Sequence, residues 1–334
     1  MSFPSKEGPN SYIWKLKDVY NARLGDNWPS GAIGLVSGGY LAPGRLNTIQ
    51  VITLGSTGNA TDFGDLSAGM STMQSGQCAS TTRGIVAAAG EQAAPNSSTN
   101  LIEFSTFKTA GNSTDFGDLT RSTNAMGSLS SATRGVFSGG STPSSPFASN
   151  IMDFITIAST GNATDFGDSV NARVNRSGVS SSTRGVYAGA FTSPSNMFNE
   201  IEFITIASTG NATDFGDTAA AVRNMASGGS STRGVFGGGQ LGSPFGRQNV
   251  IQFITIASTG NTTDFGDLTV ARAGGAGLSD STKTLFCGGD TPAPGTATVD
   301  FVFTASTGNA VDFGDLIVPT QNPMGCSNKH GALQ

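Results

Sequence analysis

The chain has 334 residues, 47 of them glycine, with only 12% charged residues and a net charge of −5. Glycine therefore stands at about double its usual ~7%, which points to turns and close backbone approaches rather than to charged helices. The acidic balance carries no basic stripe, which excludes a general nucleic-acid binder. No apolar run is long enough to insert in a membrane as a helix.

Residues 1–30 do not repeat. Met1-Ser-Phe-Pro-Ser-Lys6 lacks the charged-then-apolar order of a signal peptide, so synthesis and folding in a cytoplasm are expected. Within 11–23, Ile13, Leu16, Val19 and Tyr20 fall at helical spacing and predict a short amphipathic helix. Trp14 and Trp28 are the only tryptophans, and both precede the repeats. Such an arm either packs as a flap on the rest of the chain or docks into a larger assembly. Trp14, Leu16, Tyr20 and Trp28 would be its contacts.

From residue 31 onward the chain is periodic. Thr57-Gly-Asn-Ala-Thr-Asp-Phe-Gly-Asp65 has close copies at 110–118, 160–168, 209–217, 259–267 and 307–315. Its asparagines, Asn59, Asn112, Asn162, Asn211, Asn261 and Asn309, are spaced by 53, 50, 49, 50 and 48 residues. A period of about 50 residues marks a repeat architecture. In each unit an apolar strand such as Asn199–Ala207 comes first, with Ile and Phe on both parities, so both of its faces should be buried. A Ser-Thr-Gly-Asn turn follows, then a short strand whose one aromatic, such as Phe215, should be buried.

A second element recurs as Thr82-Arg-Gly-Ile-Val86, Thr133-Arg-Gly-Val-Phe137, Thr183-Arg-Gly-Val-Tyr187 and Thr232-Arg-Gly-Val-Phe236, and more weakly as Thr282-Lys-Thr-Leu-Phe286. Small residues follow each one, where the backbone can approach closely or take positive φ. Strands and turns at this period predict an all-β, six-bladed β-propeller of four-stranded blades. The first unit opens at Gly34-Leu-Val-Ser-Gly-Gly39 without its preceding strand. The segment Asn322–His330 matches that missing strand, so the two ends should pair in one blade and leave no open edge.

These units resemble the kelch repeat. Val235-Phe236-Gly-Gly238 looks like its diglycine strand, Asn249–Phe253 like the next strand, and Ala271-Arg272 like the segment after it. Phe265 stands where that family usually has tryptophan. The resemblance covers 31–334 and implies a propeller that binds a protein. The Ile-Thr-Ile-Ala-Ser-Thr-Gly-Asn-Ala-Thr-Asp-Phe-Gly-Asp repeats, with Trp14–Tyr20 and Trp28-Pro29 before them, are also similar to virion proteins of tailed phages, especially marine ones. That resemblance implies a virion location and a tail or fibre role. The arm would contact other virion proteins, and an exterior domain would meet a host surface glycan or protein. Capsid decoration, a neck position, a cellular kelch-like adaptor and a carbohydrate-active enzyme are the alternatives.

Candidate chemistry is sparse. Asp62-Phe63-Gly64 matches the kinase magnesium motif but recurs six times, without the glycine-rich loop, lysine or His-Arg-Asp loop that would accompany it. Paired carboxylates such as Asp214/Asp217 are too few per repeat for Ca²⁺, which takes six to eight oxygens. One of each pair is expected to cap a turn, the other to pair with a Thr-Arg-Gly arginine. Cys78, Cys287 and Cys326 have no metal-ligand or disulfide spacing and are expected as buried thiols. His330 is the only histidine, against histidine metal sites and triads. Six equivalent acid pairs single out no glycosidase centre. The expectation is a protein without enzymatic activity, catalytic residue, metal or cofactor. Binding is expected on the loops Leu41–Asn47, Glu91–Asn100, Ser141–Asn150, Thr192–Asn199, Gln240–Asn249 and Asp290–Thr298. These occupy one point of the repeat and so one face of the disc, with Phe147, Phe198 and Phe245 as candidate contacts.

Overall fold

Glycine-punctuated strands with two apolar faces cannot bury themselves alone, and this chain stacks them. The computed structural model describes residues 31–71, 76–87, 98–143, 147–193, 196–242, 245–291 and 295–333. Trp14, Leu16, Tyr20 and Trp28, and with them the expected helix, lie outside these residues.

Six four-stranded antiparallel sheets form the blades of a β-propeller. Blade 4 runs from inner to outer edge as Ser177–Ser180, Arg184–Thr192, Asn196–Thr205 and Thr213–Asp217. Blades 2, 3, 5 and 6 repeat that order. Blade 1 draws its inner strand, Met324–Ser327, from the far end of the sequence, and it pairs antiparallel with Ile33–Ser37, Leu35 opposite Cys326. The remaining inner strands are Gly76–Ala79, Gly127–Ser130, Ala226–Gly229 and Ala276–Ser279. Each inner strand neighbours that of the next blade, and the strand of blade 1 touches those of blades 6 and 2.

The core lies between blades. Val186, Ile201 and Phe215 of blade 4 pack against Phe236, Ile254 and Ile256 of blade 5. Each such side chain, fully buried, stabilises the fold by roughly 1.5–3 kcal/mol. The outer strand carries a bulge in every blade. In blade 4, Ile201 faces Gly216 and Glu202 faces Asp214, so Phe215 is passed over and turned into the core.

The nine-residue phrase is a clasp between blades. Its turn half lies over the strand half of the preceding copy. Asn211 Oδ1 accepts from the Asp168 N–H at 3.0 Å, Gly210 N–H donates to Phe166 O at 2.7 Å, and Ala212 N–H donates to Asp168 O at 2.8 Å. The same three bonds recur at every seam, including Asn59 on Asp315 between blades 1 and 6. Because one turn must fit against one strand, both halves stay nearly constant. Glycine in the strand half is required by this close approach. A Cβ on Gly216 (φ +148) would stand 2.5 Å from Gly260 O.

The Thr-Arg-Gly element ties the seams at the opposite end of the strands from the variable loops. Ser181 Oγ accepts from the Thr183 and Arg184 N–H groups, which closes the turn into the second strand. Arg184 then lies over the Phe203 ring (4.4 Å) and donates across the seam to Ile256 O and Ala257 O. Arg83, Arg134, Arg233 and Lys283 do the same at their seams. In blade 1 the position is Ile33, and the ring beneath is replaced by Val51. The expected pairing of these arginines with phrase aspartates is therefore corrected. Their guanidinium groups point across the seam to carbonyls, while Asp62, Asp115, Asp165, Asp214, Asp264 and Asp312 stand exposed.

Candidate functional site

One buried position in each third strand is polar: Gln50, Glu103, Asp153, Glu202, Gln252 and Asp300. All six lie inside apolar strands, where an unpartnered polar group is costly, and each takes a donor from the segment that runs from the preceding blade's outer strand into its own blade. Glu202 forms a bidentate pair with Arg176 (2.9 and 3.0 Å), Asp153 pairs with Arg121 (3.0 Å) and Asp300 with Arg272 (2.9 Å). Burial pushes the Asp153 carboxyl above its ordinary value, opposed by Thr120 and Arg121. Gln50 and Gln252 are neutral and accept from Ile317 N–H and Ala219 N–H. Glu103 accepts from Ser67 N–H and Ser113 Oγ, leaving Oε2 without a partner. The sequence reading passed over this set. Its signal was present as a polar residue returning at one place in an otherwise apolar repeat. These groups are sequestered between blades and take no part in surface chemistry.

The inner strands surround a channel with a cavity of about 60 Å³ at one mouth and about 70 Å³ at the other. Serines of neighbouring blades satisfy the backbone there. Ser128 Oγ donates to Gln77 O (2.6 Å), Ser130 Oγ to Ala79 O (2.9 Å), Ser180 Oγ to Ser130 O (2.8 Å) and Ser327 Oγ to Ser279 O (2.7 Å). The buried Gln77 amide lines both cavities without a protein partner.

The mouth opposite the variable loops is capped by the 3₁₀ turn Gly331–Leu333. A Cβ on Gly331 would lie 2.4 Å from Ser230 O and 2.5 Å from Ser180 O. His330 latches the turn. Nε2 stands 3.1 Å from Ala79 O, which can only accept, and Nδ1 accepts from Ala332 N–H at 3.3 Å. This is the neutral Nε2–H tautomer, and burial holds the imidazole pKa down at about 4, with the Ala79 carbonyl opposing. All three cysteines are buried and free, and burial pushes the Cys287 and Cys326 thiols up to about 12.

The links between second and third strands all leave their blades at the other face. Where the loop start is among the described residues, it bridges the segment entering its blade: Tyr40 with Gln321, Ser141 with Asn124, Phe191 with Val174, Gln240 with Arg223 and Asp290 with Ala273. Of the candidate contacts, Phe147 is 46% exposed and Phe245 42% exposed. Phe198 is half-buried, because the Arg173 guanidinium covers its ring at 3.7 Å while holding Glu200. These three rings belong to loops of different blades and form no single cluster. The structure instead assembles Phe191, Arg223, Gln240 and Phe245 at the seam of blades 4 and 5. Arg223 lies over the Phe191 ring at 4.2 Å and donates to Gln240 Oε1 at 2.9 and 2.7 Å. Gln240 Nε2 donates to Phe245 O at 3.4 Å. Arg223 and Gln240 are 17 residues apart, so nothing in their local sequence announced the pairing.

Among the described residues no group of three or more His, Cys, Asp or Glu converges on one point, and no helix is long and apolar enough to cross a membrane. The loop face therefore offers recognition by rings, amides and guanidinium groups. Neither a scan of family models nor a search of curated proteins finds a match to this chain.

Proposed function

We propose that this protein is a non-enzymatic structural component of a tailed-phage virion, associated with the tail or its fibres. The propeller presents the loop face to a host surface or to neighbouring subunits, and the segment 1–30 attaches it to the particle. One observation carries the binding half of this reading. Near-constant clasps fix six blades, and the variable loops all emerge at one face with Phe147 and Phe245 exposed. The virion half is supported by the resemblance of the repeats and of the Trp14–Trp28 segment. The exposed phrase aspartates, spread evenly around the rim, fit spacing and solubility better than a single reactive centre.

Labelling with an antibody to the propeller, with electron microscopy of purified particles, tests this directly. Density at the tail or its fibres is expected. Density on the capsid would replace the reading with decoration, and absence from particles would leave a cellular adaptor. Deleting 1–30 should abolish attachment while residues 31–334 stay folded, whereas unfolding would make the segment a structural flap.

A further inference from the structure

On the loop face the arginines are treated unequally. Arg121, Arg173, Arg176, Arg247 and Arg272 each pair with a carboxylate. Arg223 instead is held by the neutral amide of Gln240, through Nε and Nη2, which leaves Nη1 outside both bonds. Its plane is fixed from below by the Phe191 ring. Burial lowers its pKa with no acid opposing, yet arginine stays charged at any physiological pH. The guanidinium is thus a positioned cation without a counter-charge.

Phe245 joins this cluster through its backbone, its carbonyl accepting from Gln240 Nε2 at 3.4 Å. Its backbone has φ +60, a left-handed conformation that disfavours bulky residues. No burial of the ring offsets that strain, since Phe245 is 42% exposed. Strain kept at an exposed residue is a reason to look for function there. Gln240 bonds both partners, and Arg247 of the same loop is neutralised by Asp290 of blade 6. Among the described residues of its loop, no second large exposed apolar side chain accompanies Phe245. A protein partner would need an apolar interface core of several residues, whereas one exposed ring and one fixed guanidinium, joined through Gln240, offer a sugar an apolar face and a cation.

We infer that the seam of blades 4 and 5 binds an acidic glycan, a uronate-type or similar carboxylated sugar. The carboxylate sits on Arg223 and the apolar face of the sugar lies on Phe245. Gln240 holds the guanidinium in place, and Phe191 sets its plane. This inference rests on the reading of the loop face as the binding face.

The test is titration of the full chain with oligogalacturonate, oligoalginate, neutral dextran oligomers and polyglutamate, at low and at physiological salt. Both uronate polymers should bind, dextran should not, and polyglutamate should bind at least about tenfold more weakly, because charge alone lacks the stacking surface. Phe245→Ala, at an exposed ring, should weaken uronate binding about tenfold with an unchanged melting temperature. Arg223→Lys should weaken it by at least about tenfold, because the flat fork is lost while the charge remains. Equal binding of polyglutamate, preference for dextran, no binding of either uronate, or indifference to both substitutions would each overturn the inference. If uronates fail but antibody to the loop face still blocks adsorption of particles, the acidic-glycan inference falls and the proposed function stands. If adsorption is not blocked either, both fall.

Discussion

Two layers of the same seam follow opposite rules. At the outer edge the clasp is nearly invariant, and Asn59, Asn112, Asn162, Asn211, Asn261 and Asn309 make one bond six times over. A few ångströms inward, the buried polar position is an amide at two seams and an acid at four. Identical clasps hold any blade against any other and carry no information about order. The inner layer differs from blade to blade: Arg121 of blade 2 crosses to Asp153 of blade 3, Arg176 and Arg272 on the segments entering blades 4 and 6 hold Glu202 and Asp300 of those same blades, and Gln50 and Gln252 receive no cation. Moving blade 3 from its place would leave Arg121 and Asp153 buried without each other, which is costly. Repetition thus supplies adhesion, and at that seam the variable layer supplies register.

Breaking that matching should have the largest effect. Arg176→Met leaves the Glu202 carboxylate buried with only the Val170 N–H and no cation and should cost about 3–5 kcal/mol in urea unfolding. The double variant Arg176→Met with Glu202→Met should recover most of the loss; if it does not, packing rather than charge matching governs the layer. Gly216→Ala drives a methyl into Gly260 O at a positive φ and should cost about 3 kcal/mol, read as a lowered melting temperature. A tolerated alanine would show that the clasp adapts.

Acidification tests a contact outside both layers. His330 has a pKa of about 4 when folded against 6.5 ordinarily. Between those values the unfolded chain binds a proton that the folded chain refuses, so stability is complete above about pH 6.5 and falls as pH drops toward 4. The expected loss is about 2 kcal/mol after allowing for a ring that keeps partial exposure. Amide exchange at Ala332 should report release of the turn, and His330→Gln should flatten the profile.

Smaller effects separate the layers further. Asn211→Ala removes one clasp bond to Asp168 and should cost about 1 kcal/mol, in melts compared seam by seam. Glu103→Gln places an amide at a seam that has no pairing arginine, as at Gln50 and Gln252, and should shift stability by less than about 1 kcal/mol. A large loss there would assign the Glu103 carboxylate a partner role that pairing alone does not give it.

Much of this was legible from pattern alone. The period fixed the number of blades. The strand pattern placed Phe215 and its counterparts in the core, since an aromatic between small residues has one apolar surface to bury. Other features were hidden because they join residues far apart in sequence. Arg184 reaches Ile256 O across 72 residues, whereas the phrase aspartates are nearer in sequence. The Phe198 ring looked available until Arg173 was found to cover it.

The sequence by itself determined the repeated unit, its strands and its turns, because glycine, asparagine and alternating apolar residues act through local backbone preference and through burial. Only the tertiary structure decided what those units do to each other. It revealed that the phrase clasps its own copy on the neighbouring blade, that Asp153, Glu202 and Asp300 are each met by a buried arginine, and that Arg223 is held by an amide without an acid. Those outcomes depend on which side chains stacking brings within hydrogen-bond reach, a property of the assembled ring rather than of any one repeat.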